Sequence, residues 1–342
     1  MRCLLCRIPA LRRLRRELAR IFALTLVVVL AGCDDATAPA DPSSVAEPAP
    51  VADAAPVADP APVGLATVGT SRIAFMSYAG EESDIYTIGQ GGGGLTRLTS
   101  WAGSEWDPTW SYDHQRLAMV RWRAGVNNVM HSDIFVMNAD GSNKHWARSA
   151  LPAYDFFEPS WSPDGKRLVI TVRIGNSSTA YLATLELSTG NLAWVAPAGM
   201  VAVQGRHASY DPSGASIIYL TPQGTSVHRF VPKGSDQAIL TGAWQIRDAT
   251  LSPGGTRLAY SRLVTSTNPE IFVLTLATKT SKRLTYSGAQ DYGATWSPDG
   301  TRVAFLSNRS GRYQVWSLNS ATGGSLTQVT KVVDAAEPAW WH

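Results

Sequence analysis

The stretch Trp296-Ser297-Pro298-Asp299-Gly300-Thr301-Arg302-Val303-Ala304-Phe305 recurs as Trp161-Ser162-Pro163-Asp164-Gly165-Lys166-Arg167-Leu168-Val169-Ile170. Looser copies sit at Trp110, Tyr210, Leu251 and Trp340, so successive copies are 51, 49, 41, 45 and 44 residues apart. A period of about 40–50 residues is that of a four-stranded propeller blade, a unit that cannot bury its own faces and must stack against copies of itself. No other feature of the chain restricts its fold as much.

Each copy reads as strand, tight turn, strand. In Ser162-Pro163-Asp164-Gly165 and Ser297-Pro298-Asp299-Gly300, Pro fixes φ at the first central position. Ser and Asp cap the turn, and Gly accepts positive φ. Asp211-Pro212-Ser213-Gly214, Ser252-Pro253-Gly254-Gly255 and Ser111-Tyr112-Asp113-His114 are variants. A buried second strand follows, as in Leu117-Ala118-Met119, Leu258-Ala259-Tyr260 and Val303-Ala304-Phe305, with an Arg before it at Arg72, Arg116, Arg167, Arg257 and Arg302. That Arg reads as scaffold, pairing with a turn Asp or a neighbouring blade's backbone. Alternating third strands such as Asp84-Ile85-Tyr86-Thr87-Ile88 follow, then outer strands ending in Leu98-Thr99, Leu240-Thr241, Leu284-Thr285 or Val329-Thr330. The first unit, 69–100, has no innermost strand, and Glu337-Pro338-Ala339-Trp340-Trp341-His342 is an innermost strand with nothing after it. Joined, they make one blade. The expected fold is all-β: a six-bladed β-propeller of four-stranded blades, closed by the C-terminal strand completing the first blade. Closure leaves no blade face uncovered.

Glu158-Pro159-Ser160-Trp161-Ser162-Pro163-Asp164-Gly165-Lys166-Arg167 resembles the WD40-like PD40 repeat of TolB-type propellers, and the resemblance extends over residues 67–342. It implies a propeller. A place in the Tol–Pal system does not follow from it, because fold alone does not fix function.

The N-terminal part has a different character. Residues 1–32 carry seven Arg and one Glu, then an apolar run from Ile21 to Ala31. Eleven residues are too few to span a bilayer as a helix, which takes about 20, and they suit an export signal. The segment ends in Leu30-Ala31-Gly32-Cys33, which resembles the lipobox of bacterial lipoproteins. That resemblance implies lipidation of Cys33 and a membrane anchor, at about 0.8 kcal/mol per buried methylene. Cys3 and Cys6 fall within the signal, so a redox or zinc role for them is poor. Residues 33–66, rich in Ala, Pro, Val and Asp, lack apolar periodicity and read as a disordered tether after the lipidated Cys. Fully extended, such a tether reaches on the order of 100 Å. The expected location is the bacterial cell envelope, lipid-anchored and facing the periplasm or exterior.

The signal carries a net charge of +6 and the tether −6, which leaves +3 on 67–342. That is near neutral, so no nucleic-acid partner is expected. Gly91-Gly92-Gly93-Gly94 lacks the Lys-Ser/Thr of a phosphate loop, and neither a GxSxG elbow nor an HExxH motif is present.

Chemistry, if written in the ring, belongs three residues before each repeat aromatic. Those positions are Asp107, Glu158, His207, Asp248, Gly293 and Glu337, expected at the channel mouth. Converging carboxylates could hold Ca²⁺ or a basic partner group. The structural reading, carboxylates accepting backbone N–H groups at the strand entry, weighs more. The same face is expected to gather Trp101, Trp106, Trp122, Arg123, Tyr154, Phe156, Phe157, Arg206, Trp244, Arg247 and Tyr292, part of them as packing between blades. The insertion from Arg121 to Ser132, with Asn127, Asn128 and His131, is a candidate recognition loop. The reading that follows is a monomeric, non-enzymatic binding propeller with no cofactor. It would recognise an envelope protein or peptidoglycan-associated partner through the channel-mouth face. The alternatives are a metal-assisted propeller enzyme, polysaccharide lyase- or lactonase-like, using the acidic ring, and a purely structural surface protein.

Overall fold

The computed structural model describes residues 71–340 except 80–81, 125–129, 149–153, 176, 197–201, 233 and 332. The expected signal, Cys33 and the tether lie outside the described residues, as do Asn127 and Asn128.

Strands and turns make up the described residues. The first blade holds β1 (Arg72–Ala79), β2 (Glu82–Gly89) and β3 (Thr96–Arg97). The second has β4 (Ser104–Trp110), β5 (Arg116–Ala124), β6 (Met130–Asn138) and β7 (His145–Arg148). The third has β8 (Tyr154–Trp161), β9 (Arg167–Ile174), β10 (Ala180–Glu186) and β11 (Leu192–Trp194). The fourth has β12 (Arg206–Tyr210), β13 (Ile217–Leu220), β14 (Ser226–Phe230) and β15 (Asp236–Thr241). The fifth has β16 (Ile246–Leu251), β17 (Arg257–Leu263), β18 (Pro269–Thr275) and β19 (Thr280–Arg283). The sixth has β20 (Asp291–Trp296), β21 (Arg302–Ser307), β22 (Gln314–Asn319) and β23 (Thr327–Gln328). The last strand, β24 (Ala335–Trp340), pairs antiparallel with β1, Ile73 opposite Trp340 and Ser77 opposite Ala335. Six four-stranded antiparallel blades result, and their innermost strands touch in the cyclic order β24, β4, β8, β12, β16, β20 and back to β24. The ring closes as the repeat requires.

The hairpin turns show why the motif has its sequence. Ser162 Oγ donates to Asp164 Oδ1 at 2.6 Å and accepts the Arg167 N–H at 2.9 Å. Asp164 Oδ1 also accepts the Lys166 N–H at 3.1 Å, and Gly165 sits at φ +65°. The Ser297 turn repeats these bonds, with Gly300 at φ +66°. In the Ser111 turn His114 takes the left-handed position at φ +63°. Histidine tolerates that region better than β-branched residues do.

Blades meet through the repeat aromatics. Trp110, Trp161, Trp296 and Trp340 are fully buried. Trp161 Nε1 donates to the Thr109 carbonyl of the preceding blade at 3.1 Å, and Trp296 Nε1 to that of Thr250 at 3.1 Å. The Arg before the second strand reaches the following blade at two of these joints. Arg116 lies 4.5 Å over the Trp161 ring and donates to the Gly165 carbonyl at 2.8 Å. Arg257 lies 4.7 Å over Trp296 and donates to the Gly300 carbonyl at 2.8 Å. Arg72 and Arg302 instead hold their own outer turns, through the carbonyls of Gly94 and Ser325. Buried Ala118, Ala259 and Ala304 keep the second strands thin enough for these contacts.

Candidate functional site

Asp107, Glu158, His207, Gly293 and Glu337 stand at φ +50°, +52°, +49°, +68° and +50°, each at an irregularity in its innermost strand. A bulge inserts one residue and turns a side chain out of the ladder. In the fifth blade the irregularity lies between Ile246 and Asp248, and Asp248 is not in the left-handed region. The structure therefore gathers all six sequence-expected positions into one ring around the central channel.

The carboxylates of that ring point sideways, onto the next blade. Glu337 Oε2 accepts the Asp107 N–H at 2.6 Å, Asp107 Oδ2 accepts the Glu158 N–H at 3.0 Å, and Glu158 Oε2 accepts the His207 N–H at 2.6 Å. Three consecutive blade joints, including the one that closes the ring, carry the same bond. Asp248 serves a fourth joint with both oxygens, accepting Gly293 N–H at 2.8 Å and Ala294 N–H at 3.1 Å. The relay stops where the side chain is not a carboxylate: at Gly293, which has none, and at His207. The His207 ring turns back, placing Nε2 3.2 Å from Glu158 Oε1. Thr171 Oγ1 donates to Glu158 Oε2 at 2.8 Å, and the Ser261 hydroxyl donates to Asp248.

Electrostatics sort the ring into unlike members. Burial pushes Asp107 well above the usual carboxylate range, and the charges of Glu337 and Glu158 push it further. Glu337 is also raised, first by burial. Burial opposes ionisation of Glu158 too, but His207, its backbone N–H, the Thr171 hydroxyl and Arg206 outweigh it and hold Glu158 below its ordinary value. Within the ring, burial and its acidic neighbours thus favour the neutral form of Asp107, while His207, Thr171 and Arg206 favour the ionised form of Glu158. Among the described residues no group of three or more His, Cys, Asp or Glu side chains is arranged to hold a metal ion. The oxygens a hard cation would need already accept N–H and O–H donors.

The ring and the hairpin turns line one cavity of about 410 Å³ in the channel. Pro108, Pro159 and Pro338 follow the ring acids, hydroxyls of Thr109, Ser160 and Thr295 come next, and Tyr112, Pro212 and Pro253 stand at the far end. The sequence reading did not single out these wall residues. Their signal was present in Asp107-Pro108, Glu158-Pro159 and Glu337-Pro338, where the same acid–proline step recurs.

One residue before the ring, the six blades place Trp106, Phe157, Arg206, Arg247, Tyr292 and Ala336, all partly exposed. The Phe157 ring lies 6.0 Å from that of Trp122, and the Arg173 guanidinium lies 4.3 Å over the Phe157 ring. Trp106 and Tyr292 pack against blade cores, and Tyr292 meets Tyr313 edge-on at 5.6 Å. Of the other aromatics expected here, Tyr154 and Phe156 are buried, Trp101 packs edge-on to Phe135, and Trp244 stacks on Tyr260. Arg123 lies in β5 opposite His131, and its side chain is outside the described residues.

Residues 246–341 match the PD40 family, described as the TolB beta propeller domain. An uncharacterized protein of Agrobacterium fabrum is 26% identical over 235 residues, 65% of this chain and 72% of its own length. Among solved structures, TolB from Acinetobacter baumannii superposes with a TM-score of 0.66 at 19% identity, over 79% of this chain and 66% of TolB. This chain thus spans just under two thirds of that TolB. A candidate TolB of Agrobacterium tumefaciens gives 0.57 at 15% identity, over 79% and 92% of the two chains. An oligogalacturonate lyase in complex with manganese gives 0.53 at 13%, over 76% and 74%. At these identities the likeness is one of fold.

Proposed function

We propose that this six-bladed propeller, whose residues 246–341 match the TolB beta propeller domain, is a non-catalytic binding protein of the bacterial cell envelope. It is held to a membrane by lipidated Cys33 and a tether over 34–66, and it recognises a protein or peptidoglycan-associated partner through its channel-mouth face. One observation carries the reading. The ring acids, the set best suited to catalysis, accept hydrogen bonds that join blades, whereas Trp122, Phe157, Arg206 and Arg247 stay partly exposed beside them. Arginine and aromatic side chains at the centre of a patch are what binding hot spots are made of. The Leu30-Ala31-Gly32-Cys33 sequence supports the anchor, and the tether's length supports reach away from the membrane.

Two measurements test it. Metabolic labelling with a fatty acid should mark the wild-type chain and leave Cys33→Ala unmarked. Capture from envelope extracts should recover a partner that Trp122→Ala with Phe157→Ala loses and that Arg312→Gln, an exposed change elsewhere, retains. An unlabelled wild type would remove the anchor. A captured set indifferent to the face substitutions would remove the binding face.

A further inference from the structure

The innermost strands repeat a second pattern two residues after the ring. Those positions are Thr109, Ser160, Ser209, Thr250, Thr295 and Ala339, a hydroxyl in five of six blades. All of them line the cavity of about 410 Å³. Neighbouring residues of a strand face opposite ways. Trp110, Trp161 and Leu251 are buried, so Thr109, Ser160 and Thr250, each one residue earlier, are turned to the channel and stay partly exposed. The carbonyls of Thr109 and Thr250 are taken by Trp161 Nε1 and Trp296 Nε1. Their hydroxyls, and that of Ser160, make no hydrogen bond among the described residues. Thr295 differs, because its Oγ1 accepts the Trp340 N–H at 3.1 Å.

The lining narrows what the cavity can take. Its volume falls within the range of about 300–1,000 Å³ common to small-molecule sites. Among the described residues no arginine or lysine lines it, whereas Asp107, Glu158, Asp248 and Glu337 do, so an anion meets like charge and no partner. A cation needs carboxylate lone pairs, and these are in use. Glu158 serves the His207 N–H, the Thr171 hydroxyl and the His207 ring, and Asp248 serves Gly293, Ala294 and Ser261. Asp107 and Glu337 each accept a backbone N–H, and burial pushes both toward the neutral form. An apolar ligand would strip water from three hydroxyls and return no bond, at about 1–3 kcal/mol each. What remains is a neutral ligand whose groups both donate and accept, as Ser and Thr hydroxyls do. Tyr112, Pro212, Pro253 and Pro338, partly exposed in the same cavity, set ring and C–H surface beside those hydroxyls.

We propose that the channel cavity binds a neutral monosaccharide, with the hydroxyls of Thr109, Ser160 and Thr250 pairing with sugar hydroxyls and the proline and tyrosine rings packing on its C–H faces. A sugar alternates hydroxyls with C–H surface around one ring, and the cavity wall presents the same alternation. The site lies within the channel and does not depend on the mouth face.

The test uses the purified full chain and saturation-transfer NMR at pH 6 with glucose, glucosamine and glucuronate, which share one ring and differ in charge. Glucose should bind saturably, and each charged sugar about tenfold more weakly. Thr109→Val with Thr250→Val keeps both shapes and removes both hydroxyls. It should weaken glucose by about tenfold, the loss of two neutral hydrogen bonds. Ser160→Ala should weaken it by about threefold, and it carries the test alone if the double variant fails to fold. No saturable binding of glucose, tighter binding of either charged sugar, or glucose binding unchanged by these substitutions would each overturn the site. A chain that binds no glucose and still captures an envelope partner through Trp122 and Phe157 loses the channel site alone and keeps the mouth face.

Discussion

Glu158 accepts the backbone N–H of His207 at 2.6 Å, across the joint between the third and fourth blades. The same bond runs from Glu337 to Asp107 and from Asp107 to Glu158. A residue in the left-handed region is strained by about 1 kcal/mol or more unless its surroundings hold it there. Here the bulge that carries each strained residue aims its carboxylate at the next bulge, so the strain of one blade is held by the side chain of another.

Glu158→Ala removes an acceptor shared by a backbone N–H, the Thr171 hydroxyl and His207. A loss on the order of 2–4 kcal/mol is expected, since buried donors are left without partners. Glu158→Gln should lose about half as much. Urea unfolding of both variants measures this. Equal stability of Glu158→Ala and wild type would mean that the ring does not hold the blades.

Gly293 is the gap in the relay. A Cβ there would meet Pro338 Cδ at 3.5 Å, an ordinary contact, so space does not demand glycine. Its φ of +68° does penalise alanine, and Gly293→Ala should cost about 1 kcal/mol. Gly293→Asp restores the side chain that the other blades use and could accept the Glu337 N–H. It should be the more stable of the two variants at neutral pH. The reverse order in thermal unfolding would show that the strained backbone, not the missing acceptor, governs this joint.

Much of this was legible in the sequence, and the reason is range. Ser162, Asp164 and Gly165 act within five residues of one another, so their turn can be read locally. The ring positions could be found by counting from the aromatic. The direction of each carboxylate could not, because the amide it serves lies 49 residues away for Glu158 and 230 for Glu337. The Leu-Thr pairs were read as strand ends, and the structure shows why they recur. Thr99, Thr285 and Thr330 each accept the N–H of a third-strand residue, Ile85, Ile271 and Val315, where the outer strand has run out. The aromatics were harder to sort. Phe156 and Phe157 are neighbours in sequence, yet the strand turns one into the core and the other to the mouth.

Glu105 supplies a pH test that no motif announced. It is fully buried at the joint of the first two blades, 3.6 Å from Arg121 Nε. Burial raises its pKa to about 8, against the pull of Thr99 and Arg121 and with a small push from Asp84 and Glu82. The folded protein then keeps a proton that the unfolded chain releases near the ordinary glutamate value. The stabilisation is complete below about pH 4.5 and is lost as pH rises to about 8, a change on the order of 3–5 kcal/mol. Glu105→Gln cannot lose that proton. Its stability relative to wild type should therefore climb between pH 5 and pH 8. A constant difference across that range would place Glu105 as an ordinary ionised partner of Arg121.

The most direct test of the binding face is site-specific photo-crosslinking in intact envelopes. A photoreactive residue at Phe157 or Trp122 should capture a discrete partner, and one at Ser213 or Asp299, in the turns at the opposite end of the channel, should not. Crosslinks from the turn positions alone would contradict the assignment of the channel mouth as the recognition surface.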